Sequence, residues 1–272
     1  MKLSTIIFLF FSIFSHFSYV FSHNIDYIRS IEQEALEQIR IAYNIERKAW
    51  DAFLGHVSTL RNEIKILLTQ TNPDVQHDNN IPTEKLNIIY DIFKQQNINP
   101  QSIHIILDNE VEKSNTCASM HIRLFLQNAP EKYIIKDPLL KISPKILQDD
   151  CAKFTAVIYH ELGHLFEVHT ALEYLIKKLV ESVSTKVSPD GSVEKENVKN
   201  NLNRIHEFIA DQYFASQDKN ISSILEKYLK PNTLCNYPPL SENWYPTIPE
   251  RWSSFMVMKN KIYENSTDRQ LL

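Results

Sequence analysis

Three things are scarce in this 272-residue chain: cysteine, clustered positive charge and, past the first two dozen residues, long apolar runs. Lysines and arginines are scattered among acids and the formal charge is −4, so there is no basic field for phosphates and nucleic acid is not an expected partner. After the amino-terminal segment no stretch offers the roughly 18 uninterrupted apolar residues that a membrane helix needs, so the remainder is expected to be soluble once released. Cysteine occurs at 117, 151 and 235 only, in no zinc-knuckle spacing and with none near the amino terminus, which argues against a lipid-anchored lipoprotein. Three is an odd number, so at most one disulfide forms within the chain.

The apolar start, MKLSTIIFLFFSIFSHFSYVFSHN, carries Lys2, an apolar centre from Ile6 to Phe14 and a small Ser22 two places after Val20. That is the layout of a secretory signal peptide, residues 1–22, with cleavage after Ser22. Ser15, His16 and Ser18 interrupt the run. The chain is therefore expected to be exported, periplasmic or secreted, touching a membrane only transiently through this segment and anchored only if the segment is retained.

The rest, 43% hydrophobic and 23% charged over the full chain, is enough for one well-buried core. Residues 23–82 read as a helical segment closed by the polar loop TNPDVQHDNNIP: Ile28, Ile31, Ala35, Ala42, Ile45, Ala49 and Ala52 hold near-heptad spacing, with Gly55 a candidate bend. Such a stripe packs on its own domain or offers a surface for a homo-oligomer. In residues 83–272 a helix with Leu86, Ile89, Tyr90 and Phe93 on one face precedes three short strands, SIHIILD, the alternating ASMHIRLFLQ and KYIIK. The alternating strand is expected at an edge. Asp149 and Asp150 are cap candidates for a long helix, CAKFTAVIYHELGHLFEVH, that continues to about Val183 and the turn SPDG. Helices near 197–216 and 222–229 and one beginning near Pro249 complete an α+β pattern.

Within that long helix stands HELGH, residues 160–164. Residues four apart share a helix face, so His160 and His164 can hold one metal ion, and neutral imidazole suits Zn²⁺. Glu161 lies beside the first ligand as a general base, and Gly163 leaves room at the metal face for a passing main chain. A metzincin is excluded: the glycine its pattern requires is missing, and His169 stands one residue short of the third-ligand position. Further on, EFIADQYFA places Glu207 and Asp211 four apart. Glu207 is the third ligand expected, and Asp211 accepts a hydrogen bond from the free nitrogen of a histidine ligand.

HELGH followed by E-F-x-A-D resembles the gluzincin peptidases of the HtpX, CaaX prenyl protease and BepA type. SNTCAS at 114–119 is similar to that family's Asn-Ala-Phe-Ala edge strand, with Thr116 and Cys117 departing from it. YIIKDPLLK resembles its strand and double leucine, and Tyr245, Pro246 and Arg251 stand where the family carries a His-Pro pair and an arginine. The resemblance spans about residues 84–262. It implies a mostly helical zincin-like domain whose edge strand borders the cleft, and a zinc endopeptidase binding one Zn²⁺ through His160, His164 and Glu207. It also implies that Glu161 is the catalytic base and that Tyr245 and Arg251 stabilise the oxyanion. Unfolded or misassembled polypeptide, laid along Ser119 to Leu126, is the substrate it implies. Two alternatives stand beside it. One is an ImmA/IrrE-type metallopeptidase, against which Asp211, the export signal and the Tyr-Pro/Arg pair weigh. The other is a zinc-bearing, chaperone-like binding protein that hydrolyses nothing, against which the intact Glu161 weighs.

Overall fold

The computed structural model describes residues 25–110, 117–127, 132–184, 192–215, 218–229, 246–247 and 249–257. The expected signal peptide, the SPDG turn, Cys235 and Tyr245 lie outside the described residues.

Helices α1 (Ile25–Ala42) and α2 (Arg47–Leu67) form a hairpin. Its corner is Asn44, with φ 49°, a left-handed conformation that asparagine tolerates. The bend therefore does not fall at Gly55, which lies inside α2 with open space where a Cβ would be. The four residues between the helices also shift the phase of the apolar stripe. Trp50, Phe53, Val57, Leu60 and Ile64 form the buried face of α2, while Ala49 and Ala52 are exposed. Helix α3 (Thr83–Gln95) buries Ile89, Ile92 and Phe93.

The three strands are β1 (His104–Leu107), β2 (Ala118–Gln127) and β3 (Lys132–Ile142), in the order β1-β3-β2, with β1 parallel and β2 antiparallel to β3. The alternating strand β2 thus occupies an edge. Strand β3 outruns the expected KYIIK because Asp137 and Pro138 do not end it. Between the pairs His121↔Leu139 and Arg123↔Lys136 the register shifts, and Asp137 takes φ 49°. That bulge accommodates a proline lacking an N–H to give to the ladder.

The long helix is capped as expected, Asp150 Oδ1 accepting from the Lys153 amide at 2.9 Å. It is not continuous. Helix α4 (Cys151–Phe166) stops, Val168 adopts φ 54°, and α5 (His169–Ser184) starts after it. Helices α6 (Ser192–Tyr213) and α7 (Lys219–Leu229) follow, and residues 249–257 form α8. Helix α4 packs against β2, α3, α6 and α7, while α1 packs along α6. One hydrophobic cluster runs from Ala35 to Phe255, so the loop near residue 82 separates helices that share a core. The fold is α+β, a small mixed sheet set against helices. Among the described residues no helix is long and apolar enough to cross a membrane.

Candidate metal centre

The site forms where α4 and α6 touch. A Cβ on Gly163 would lie 2.6 Å from the Ala210 carbonyl oxygen and 2.8 Å from its Cα, so only glycine permits this approach. The main chain for which Gly163 leaves room is that of α6. Ala210 lies one turn from Glu207 and next to Asp211, so the contact brings both carboxylates over the two histidines.

His160 Nε2 and His164 Nε2 are 3.1 Å apart; Glu207 reaches the first through Oε2 at 3.2 Å and the second through Oε1 at 3.4 Å. The three residues form a group able to hold a metal ion. Behind them, His160 Nδ1 lies 2.9 Å from Asp211 Oδ1. Burial raises the carboxylate pKa of both Glu207 and Asp211, but their partners win. His164 and His160 hold Glu207 well below the usual carboxylate range, and Arg251 with His160 keeps Asp211 low. Burial and Arg251 disfavour a charged His160, yet Asp211 and Glu207 outweigh them and raise its pKa to about 9. The centre is thus built to hold positive charge.

Glu161 is buried, and burial pushes its carboxyl above the ordinary value, while His160 and His164 pull the other way and the Met120 main chain hydrogen-bonds to it. The Met120 carbonyl accepts from Thr170 Oγ1 at 3.2 Å, so the edge strand is tied to both α4 and α5. Arg251 stands behind the site. Thr247 and Glu250 form a capping box, the Thr247 amide donating to Glu250 Oε2 at 2.7 Å, and Arg204 of α6 binds Glu250. This start of α8 aims Arg251 at Asp211, where Nε donates to Oδ2 at 2.8 Å and Nη2 to Oδ1 at 2.5 Å. That fork closes on the carboxylate that faces His160, and Arg251 Nη1 lies 3.9 Å from Glu207 Oε2.

The sequence did not single out the second histidine's support. His164 Nδ1 faces His169 Nδ1 at 2.8 Å. Beyond it lies a second buried group, Glu32, His169 and His206, from α1, α5 and α6. His206 Nε2 and His169 Nε2 are 3.4 and 3.9 Å from Glu32 Oε1, and the two rings stack at 4.1 Å, 10° from parallel. Burial holds His169 well below the usual imidazole range; at His206 the Glu173 and Glu32 carboxylates overcome burial and raise it. Three histidines within ten residues were the available signal. No protein-family profile, curated protein or solved structure matches the chain.

Proposed function

We propose that the protein is a zinc-dependent endopeptidase acting on unfolded polypeptide. The observation that carries this reading is the convergence of His160 Nε2, His164 Nε2 and a Glu207 carboxylate to mutual distances of 3.1, 3.2 and 3.4 Å. Ligands about 2.0–2.1 Å from a tetrahedral zinc stand about 3.3 Å apart, so this donor set fits the ion in chemistry and in spacing. When bound, zinc supplies Lewis-acid polarisation of a carbonyl and lowers the pKa of its water to about 7.

The chain's own residues do the rest. Glu161, with its pKa raised by burial, takes the proton from the attacking water and returns it to the leaving amine. Asp211 accepts from His160 Nδ1, which fixes the tautomer that leaves Nε2 free to ligate, and Arg251 holds Asp211 in place. Strand β2 presents an edge for an extended substrate, anchored to the base at Met120 and carrying exposed Phe125 and Leu126 near its far end. Main-chain pairing along an edge is indifferent to side-chain identity, which favours unfolded substrates. Export, read from the leader, would place that work outside the cytoplasm.

The test is cleavage of a denatured protein by the purified chain, beside Glu161→Gln and beside a zinc chelator. Cleavage abolished in both controls supports the reading. A zinc-loaded wild type that cuts no faster than Glu161→Gln refutes it.

A further inference from the structure

We infer that the amino-terminal helix α1 is part of the metal centre: Glu32 holds His169, and His169 holds the zinc ligand His164. This rests on the zinc reading of His160, His164 and Glu207. Ligation through His164 Nε2 leaves that ring's hydrogen on Nδ1, which lies 2.8 Å from His169 Nδ1. Two N–H groups cannot face each other at that distance, so His169 Nδ1 is the acceptor and its own hydrogen sits on Nε2. A buried carboxylate oxygen that faces that hydrogen is Glu32 Oε1, 3.9 Å away. Both atoms are buried and, among the described residues, neither makes a hydrogen bond, although His206 Nε2 also faces Glu32 Oε1 at 3.4 Å. Closing the gap by about 1 Å would satisfy both at once.

Glu32 is itself fixed. Its Oε2 accepts from Arg61 Nη2 at 2.5 Å, and Arg61 Nε lies 3.1 Å from Glu167 Oε2, to which Arg29 of α1 also binds. Helices α1 and α2 therefore converge on the turn that joins α4 to α5, next to the ligand. A second metal ion among Glu32, His169 and His206 fits less well. Rings stacked 10° from parallel direct their in-plane lone pairs side by side instead of at one point, and a His169 Nε2 bearing hydrogen is no ligand. His206 instead closes over His169 and brings a second imidazole edge to the same carboxylate.

The test is zinc affinity of the full chain by chelator competition, with metal stoichiometry, on wild type, His169→Leu, His169→Asn, Glu32→Met and the double variant Glu32→Met/His169→Leu. Circular dichroism and melting of the metal-free forms show which are folded. Loss of an outer-shell partner typically weakens metal binding roughly ten- to hundredfold, the loss expected for His169→Leu. His169→Asn, whose amide oxygen replaces Nδ1 as acceptor, should recover most of it. Glu32→Met should weaken binding less, and the double variant no more than His169→Leu alone, because both break one chain of contacts. Several results would overturn the inference: His169→Leu binding zinc as wild type does, additive losses in the double variant, or two ions per chain with one lost in Glu32→Met. A wild type that binds one zinc, lost in His160→Ala, while His169→Leu is unaffected, overturns this inference alone. A wild type that binds no zinc overturns it together with the zinc reading.

Discussion

Two groups of the same composition, two histidines and a glutamate each, lie side by side in this protein, one wholly buried and the other with His164 and Glu207 half-buried. In His160/His164/Glu207 the rings are 88° apart and their Nε2 atoms meet a carboxylate at a common point. In Glu32/His169/His206 the rings lie flat on each other and, among the described residues, Glu32 Oε1 and both Nε2 atoms make no hydrogen bond. Donor identity is equal; the direction of the lone pairs is not. The first arrangement comes from i,i+4 spacing on one helix facing a second helix. The second comes from three separate helices, which can bring side chains close without aiming them at one point.

On the proposed function, the largest difference expected between the groups is hydrolytic. Glu161→Gln should lower cleavage of a denatured substrate roughly 10²–10⁴-fold while leaving zinc content unchanged, which assays of both quantities on the same preparation would check. Asp211→Asn should weaken zinc binding roughly ten- to hundredfold, and it should also lower the melting temperature because the buried Arg251 loses the carboxylate that grips it. His206→Phe, which keeps a flat ring over His169, should leave zinc stoichiometry at one; a change in stoichiometry would mean that the second group also holds an ion.

Gly163→Ala forces the α4 and α6 backbones apart, with an expected stability loss of about 1–3 kcal/mol by denaturant titration and weaker zinc binding as Glu207 recedes. Acidity gives a further test. His160 has a folded pKa of about 9 against an ordinary 6.5, so in the metal-free protein its contribution to stability is complete below about 6.5 and disappears as pH rises through about 9. Zinc must displace that proton. Its affinity should therefore rise about tenfold per pH unit up to about 9, measurable by competition titration at several pH values. The smallest effect is expected of Asp150→Ala, which removes the α4 cap at a cost of about 1 kcal/mol and leaves zinc affinity unchanged.

What was legible in the sequence was whatever a local period encodes. His160, His164, Glu207 and Asp211 are pairs at helical spacing, and the helices around them form nearly where the apolar pattern placed them. The Asp150 cap and the alternating edge strand were local signals too. What was not legible depended on chain direction between elements. Nothing in the spacing of the amino-terminal stripe revealed that Asn44 would turn the chain and shift the buried face onto Trp50 and Phe53. Asp-Pro at 137–138 reads as a stop and is a bulge, because a partner strand is present to span it. Glu32 and His169 are more than a hundred residues apart and meet only because α1 lies along α6, a tertiary fact with no sequence period.

The kink at Val168 has a consequence for anyone who would transplant this centre. A β-branched residue with φ 54° sits about 1–2 kcal/mol above its preferred backbone conformation, and the complete burial of its side chain offsets that cost. Copying HELGH and EFIAD onto straight helices would carry over the three candidate ligands but leave His169 continuing along the helix that carries His164, turned away from it. The portable unit is therefore larger than its sequence signature: it includes one unfavourable peptide conformation and the apolar pocket that makes it tolerable.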